Sequence, residues 1–557
     1  MDHMADRIQV TLQDGSNREC PLGTSVYDLM QDTHSLDGLA YLGALVNNDM
    51  VSLSYPLEVD SEVIYLTMAD SHGWHIYRQS LAFLLAMTVK ELFPKARLYV
   101  EHSLGTGFYC NFEENGSTGI TEERIAAIET HMRRLIDMDM PIKRQKIFYS
   151  EAIRHFERER QFDKCNLLRF RNPPKIVVYR CGEFIEISHG PLAYNTGALP
   201  HFKLIPYSPG FMLQFPDREN PPDPAPFEPQ PQLFQIFKEY KQWGRILGVR
   251  TAGDLNEIIA RNAVKDFVMI AEALHEKKLA RIADHVYQHR QRIKWILIAG
   301  PSSSGKTTFA QRLAVQLRVN GLRPVTISVD NYFRNRAETP LTPDGEYDFE
   351  HIETIDLDLF NEHLLKLDRG EEVDMPIFDF ETGQRSFNGH QMRVDDAQMV
   401  LIEGIHSLNP RLSETLPAER KFKIYISALT QLNLDFSTRI STTDNRLVRR
   451  IVRDHQFRGH SALKTIKMWP NVRNGEKKWI FPYQSESNIA FNSALDYELA
   501  MLKPRVEPLL AEVKPYHPEY ATARRLMEFL SGFISAPSSS VPRKSILREF
   551  IGPGLMF

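Results

Sequence analysis

Gly300-Pro-Ser-Ser-Ser-Gly305-Lys306-Thr307-Thr308 follows a short apolar run, Trp295-Ile-Leu-Ile-Ala299, and precedes Phe309-Ala-Gln-Arg-Leu-Ala-Val-Gln-Leu317, where apolar residues recur at helical spacing. Strand, Gly-rich turn and helix start, in that order, predict a phosphate-binding loop. Between Gly300 and Thr308 the backbone N–H groups, including those of Ser302, Ser303, Ser304 and Gly305, then point into one concavity. The positive end of the helix adds to their pull on anions. In such a loop Lys306 reaches the β- and γ-phosphates of a nucleoside triphosphate, and the Thr307 hydroxyl ligates Mg²⁺.

The chain is too long, at 557 residues, for one ordinary core, and three or four domains are expected. Hydrophobic residues make up 42% and charged ones 25%, with a net charge of −4, as in a soluble globular protein. The mildly acidic total argues against a general nucleic-acid coat. Cys20, Cys110, Cys165 and Cys181 lack CxxC spacing and read as reduced thiols, not as a disulfide framework or zinc ribbon. No apolar run approaches the roughly 20 residues needed to cross a bilayer. The start of the chain alternates like a strand from Ile8 and has no basic-then-apolar signal region, so a cytoplasmic protein without a membrane partner is expected. The sequence leaves a homo-oligomer open.

Six segments are expected in a multidomain α/β chain. Residues 1–68 read as a β-grasp unit: Ile8, Val10 and Leu12 alternate, Asp14-Gly15 turns, and Thr24 or Ser25 caps a helix through Val26–Met30. Residues 69–215 read as α+β, with a helix over about 78–92 and a hairpin around Gly105–Phe112. Residues 216–232 are a proline-rich, semi-rigid spacer, and 233–290 a helical connector. Residues 291–515 hold the phosphate loop and its sheet. Residues 516–557 are a C-terminal helix and tail, with Ala536-Pro-Ser-Ser-Ser-Val-Pro542 as a flexible link to a docking segment.

Within 291–515 the next strand, Pro324-Val-Thr-Ile-Ser-Val329, runs into Asp330. A carboxylate there faces the γ-phosphate across the crevice of a parallel sheet and can take the proton of an attacking hydroxyl. Met399-Val-Leu-Ile402 ends at Glu403, a position that holds Mg²⁺ directly or through water. Residues 434–480 contain eleven Arg/Lys and four Asp/Glu. Arg446, Arg449, Arg450 and Arg453 recur at three- and four-residue spacing and suggest a mobile arginine helix closing over the phosphates. Trp479, Phe481 and Tyr483 read equally as stacking groups for an acceptor base or as core.

Several stretches carry resemblances. Asp14-Gly15 and Gly23-Thr-Ser-Val-Tyr-Asp-Leu-Met30 resemble the TGS domain found at the head of threonyl-tRNA synthetases and some GTPases. Gly107-Phe-Tyr and His189-Gly-Pro191 resemble the editing-type domain that those synthetases share with alanyl-tRNA synthetases. That family builds its editing site from two histidines, a cysteine and a further histidine. The matching positions here are Gln79, Phe83, Ser188 and Leu192, none a competent metal ligand or base, so the resemblance implies a retained scaffold without the editing chemistry. An RNA partner is kept open through this half.

Gly300–Thr308, Ser328-Val-Asp330-Asn-Tyr-Phe-Arg334, Tyr347-Asp-Phe-Glu-His351, Pro376-Ile-Phe-Asp-Phe380, Ile402-Glu-Gly404 and Arg446–Asp454 together resemble the uridine kinase and phosphoribulokinase branch of P-loop kinases. The resemblance implies ATP and Mg²⁺ as cofactors, Asp330 as base and Glu350 near the ribose hydroxyls. It also implies acceptor contacts from Tyr332, Phe333, Phe378, Arg385 and Arg453, with a small-molecule acceptor, most readily the 5′-hydroxyl of a pyrimidine nucleoside. The Tyr and His that touch the pyrimidine in uridine–cytidine kinases fall here on Phe378 and Gly383. Losing two polar groups weakens discrimination of the base, so a sugar or polyol acceptor stays open. A third alternative is an RNA-associated regulator that senses nucleotide.

Overall fold

A computed structural model describes residues 7–342 and 345–553; the ends of the first and last expected segments lie outside them. In Arg7–Leu12 the apolar residues alternate, and Ile8, Val10 and Leu12 are the buried face. The strand sits in a five-stranded sheet ordered Asn17–Pro21, Arg7–Leu12, Ser61–Leu66, Gly43–Val46, Asp49–Val51. Asn47 and Asn48, at φ 49° and 61°, make the tight turn between Gly43–Val46 and Asp49–Val51. The expected helix over 26–30 is instead one 3₁₀ turn, Tyr27–Leu29, with Met30 already extended at ψ 138°. Five residues offer too few helical hydrogen bonds to offset nucleation.

The next helix, Ser71–Leu92, starts earlier than position 78. It shares a core with the strands Arg97–Leu104, Gly107–Glu114 and Gly210–Gln214, and Leu42 and Leu66 of the front sheet reach into the same core. After the proline-rich stretch, helices Pro231–Leu247, Ala252–Ala260 and Val264–Gln288 lead into the phosphate-loop sheet. Thr251 caps the second of these in a reciprocal box with Asp254.

That sheet has five parallel strands: β1 (Trp295–Ala299), β2 (Arg323–Ser328), β3 (Gln398–Glu403), β4 (Lys421–Ser427) and β5 (Ile489–Asn492). Their spatial order is β2-β3-β1-β4-β5. Every residue of β1 is buried, as a continuous apolar run on a sheet covered on both faces requires. The chain leaves β1 to one side for β2 and β3, then crosses to the other for β4. A crevice opens at the carboxyl end of β1, where that direction switches. Helix α1 (Lys306–Val319) follows β1 directly; α2 (Thr442–Arg458) and α3 (Ala462–Trp479) follow β4.

The stretch from Ala536 to Pro542 is no flexible link. Ala536 and Val541 are buried, and Ile546, Leu547, Phe550 and Ile551 join the core of the sheet through α4 (Arg548–Ile551). Apolar side chains spaced along this tail hold it down. No helix among the described residues is long and apolar enough to cross a membrane.

Candidate active site

Between β1 and α1 the backbone takes the shape that phosphate cradles need. Ser303 and Gly305 lie at φ 59° and 85°. A Cβ on Gly300 would sit 2.1 Å from the Ile426 carbonyl oxygen, so glycine is required at that close approach. Among the described residues, the N–H groups of Ser303, Gly305, Lys306 and Thr307 make no hydrogen bond, and the hydroxyls of Ser303 and Ser304 are buried without a partner. Unsatisfied donors at a helix start, aimed together, are an anion site.

Three charged groups converge beside it. Glu403, at the end of β3, is buried; its Oε1 accepts from the Ser328 hydroxyl at 2.9 Å, and both its oxygens lie 3.4 Å from the Thr307 hydroxyl. Burial, then the charge of Asp330, raises the Glu403 carboxyl above its ordinary range, while Lys306 opposes the shift. Asp330 stands in the 3₁₀ turn Val329–Tyr332 that follows β2. Its carboxyl is also raised, by loss of hydration, against the pull of Lys306, Arg458 and Arg453. Lys306 is lowered by loss of hydration, with Glu403, Asp330, Glu549 and Glu350 pulling the other way, and its Nζ donates to the Pro301 carbonyl at 3.3 Å. Two neighbouring acids that resist ionising together, next to a threonine hydroxyl that only a long 3.4 Å bond engages, suit a hard divalent cation. Among the described residues no three His, Cys, Asp or Glu side chains cluster as a complete metal site.

The arginine helix differs from the expected mobile lid. Arg446 and Arg449 are 1% and 0% exposed, and Arg450 is buried with them. Arg446 Nε donates to the Ser302 carbonyl at 2.9 Å, and its guanidinium forks onto Glu476 of α3. Arg449 holds the Ser493 carbonyl at 3.0 Å and pairs with Glu498. Arg450 donates to the Ser302 hydroxyl at 2.8 Å and to Asp454. Guanidiniums committed to buried carboxylates cannot swing; these residues brace the phosphate loop from behind. Glu476 Oε1 in turn accepts from the Ser302 N–H at 3.1 Å. Arg453, 15% exposed and paired with Asp454, and Arg458 are the members whose charge reaches Asp330.

Glu350 is brought to the same place. It lies 3.8 Å from Arg450, its Oε2 is buried without a partner, and a Cβ on Gly475 would strike it. Burial foremost, with Glu476 adding, pushes its carboxyl up to about 7 from an ordinary 4.5, while Arg450 opposes. The folded chain therefore keeps a proton that the unfolded chain has lost between those values, and stability falls as pH rises through that window. Denaturant unfolding of Glu350→Gln, compared with the parent at about pH 5 and about pH 8, should show the variant gaining on the order of 2 kcal/mol at the higher pH. An equal difference at both would contradict the shift.

The acceptor side differs at two expected positions. Tyr332 is fully buried, its hydroxyl against His363 Nδ1 at 3.0 Å and its ring against Phe360, so it supports the turn from inside instead of facing a ligand. Arg385 is held by Asp356 at 2.9 Å. Phe333 and Phe378 do meet, ring centres 5.4 Å apart, and Phe380 joins both at 6.1 and 5.2 Å with 45% exposure. Trp479, Phe481 and Tyr483 are partly buried and pack against the core around β3, with Trp479 edge-on to His351 at 4.6 Å.

One group in the site has no sequence signal. Glu549 of α4 accepts from the Thr308 N–H at 3.2 Å and from its hydroxyl at 2.9 Å, and Ile546 leans on Gly305. A carboxylate on the phosphate loop competes with any anion that binds there. Glu549→Gln should tighten ATP binding by roughly fivefold, about 1 kcal/mol, measured by calorimetry. Unchanged or weaker binding would contradict this.

Residues 295–500 match the phosphoribulokinase/uridine kinase family, and residues 8–64 match the TGS domain. The chain carries a kinase-family domain of that class, with a TGS domain ahead of it. Over the N-terminal half it is similar to threonine–tRNA ligases: 33% identical over 199 residues to that of Desulforamulus reducens and 34% over 196 residues to that of Nitrosococcus oceani. These alignments cover 36% and 35% of this chain, and 31% and 30% of the ligases, so it spans about a third of the length of those relatives. Among solved structures, one described as a possible uridine kinase from Bacillus stearothermophilus covers 39% of this chain and 100% of its own, at 18% identity and TM-score 0.27. The four positions matched to the editing site, Gln79, Phe83, Ser188 and Leu192, line one cavity.

Proposed function

We propose that the chain is an ATP-dependent phosphotransferase that moves the γ-phosphate to a hydroxyl of a small molecule, with the 5′-hydroxyl of a nucleoside such as uridine as the favoured acceptor. The observation that carries this is the meeting of Asp330, Glu403 and Lys306 beside a loop of unsatisfied N–H donors. In this reading the loop from Gly300 to Thr308 holds the triphosphate and Lys306 draws its β- and γ-oxygens. Thr307 and Glu403 would hold Mg²⁺, which neutralises charge on the phosphate oxygens when bound. Asp330 takes the proton of the acceptor hydroxyl; its raised carboxyl makes it a better base than an ordinary aspartate. Arg453 and Arg458 offset charge near Asp330, and Glu350 lies within reach of further acceptor hydroxyls.

Phe333, Phe378 and Phe380 supply flat apolar rings against the turn that carries Asp330, where the Phe378 N–H donates to Asn331, a surface suited to a nucleobase more than to a polyol. With no polar reader at Phe378 or Gly383, several bases should be accepted. An acceptor screen with ATP and Mg²⁺ against nucleosides, deoxynucleosides, sugars and inositols, scored by ADP release, tests this. Turnover with more than one nucleoside is expected; turnover with sugars or inositols alone would contradict the nucleoside reading.

A further inference from the structure

A second cavity lies far from the phosphate loop in sequence, between helix Ser71–Leu92 and the start of α2. There a cavity of about 110 Å³ is lined by Arg78, Arg439 and Arg525. Arg525 is already matched to Asp444 as a two-point pair, with one contact at 2.9 Å. The other two guanidiniums are not matched. Among the described residues neither Arg78 nor Arg439 has a carboxylate within ion-pair distance: Arg78 Nε is buried with no hydrogen bond, and Arg439 spends only its Nε, on the Glu101 carbonyl at 3.1 Å. Both stand over the same ring, Phe108, at 5.6 and 5.2 Å from its centre, and Arg78 also stacks on Trp74 at 3.6 Å. Aromatic faces hold the two groups in place without neutralising them.

Two like charges facing one cavity, with no carboxylate paired to either and Asp444 already paired with Arg525, are costly to assemble. Burial, then the charges of Arg439 and Arg525, bear against the Arg78 guanidinium, with Asp444 in the other direction. Planar guanidinium forks suit phosphate and carboxylate oxygens, and Phe83 and Leu192 give the cavity an apolar wall for an organic body. We infer that this cavity binds a small metabolite through an oxyanion, a phosphate ester or a carboxylate, clamped between Arg78 and Arg439. One guanidinium comes from the synthetase-like half and the other from the loop that leads into α2, so the site exists only where the two halves meet. Asp444, in the first turn of α2, borders it. That helix carries Arg446, Arg449 and Arg450 to the phosphate loop. The inference does not depend on phosphate transfer.

The test is calorimetric titration of the full chain bearing Lys306→Ala, which weakens the phosphate loop, with inorganic phosphate and separately with malonate. Saturable binding of at least one is expected, weakened about tenfold or more by Arg78→Gln and by Arg439→Gln. Tighter phosphate identifies a phosphate ester, tighter malonate a carboxylate. Because each substitution removes one of two repelling charges, both variants should keep the parent's Tm in phosphate-free buffer. Arg439→Lys, which keeps the charge, should retain part of the affinity and covers the case of a Gln variant that misfolds. Binding of neither anion in the millimolar range, or binding equal to the parent's in the folded Arg439 and Arg78 variants, overturns the site.

Discussion

Lys306→Ala should weaken ATP binding by about tenfold to a hundredfold and slow transfer by about a further hundredfold or more. Lys306 is the cation whose charge bears on both Glu403 and Asp330; Arg446, Arg449 and Arg450 are spent on Glu476, Glu498 and Asp454. A charge-assisted bond to a phosphate oxygen contributes about 1.5–3 kcal/mol, which sets the binding loss. The same amine offsets Glu403, Asp330, Glu549 and Glu350. Without it these carboxylates repel an incoming triphosphate, and that repulsion adds to the loss. Equilibrium titration for binding and single-turnover kinetics for transfer separate the two effects. A variant that binds ATP like the parent would contradict the placement of Lys306.

Asp330→Asn should leave ATP affinity within about threefold of the parent and reduce transfer by about 10²–10⁴-fold, the usual contribution of a positioned base. Asn keeps the shape of the side chain while removing its negative charge and its ability to accept a proton. The 3₁₀ turn that presents residue 330 is held from inside by the buried Tyr332 and its hydrogen bond to His363, so the geometry should survive. If anything, removing a negative charge beside Glu403 lets that acid ionise more readily and favours cation binding. Loss of transfer with retained binding therefore isolates the proton step. A rate within tenfold of the parent would remove Asp330 from that role.

Much of this site was legible because its parts are local. The run Trp295–Ala299, the glycines at 300 and 305 and the helical spacing after Lys306 each demand a different backbone, and together they admit one arrangement. Glu403 was legible for the same reason, as an acid ending an apolar strand. The arginines were misread because spacing reports a shared face and not what covers it. Glu476, Glu498 and the loop carbonyls that meet Arg446 and Arg449 come from segments tens to hundreds of residues away. Tyr332 was misread on a turn where one step along the chain reverses inside and outside. Phe333 faces Phe378, while Tyr332 points into the core. Glu549 and the Arg78–Arg439 pair left no trace, since each joins segments over two hundred residues apart and neither carries a motif. Arg458 lies five residues beyond Arg453, outside the three- and four-residue spacing, and reaches the site through Asp454 at 3.6 Å.

Under the proposed function, this crevice passes phosphate from ATP to an alcohol. Incubation of the full chain with γ-labelled ATP, Mg²⁺ and a nucleoside mixture measures it directly. Label should appear in nucleoside monophosphate, at a rate that collapses in Asp330→Asn. Label recovered only as inorganic phosphate, or in acceptor equally fast with and without the Asp330 carboxylate, would contradict it.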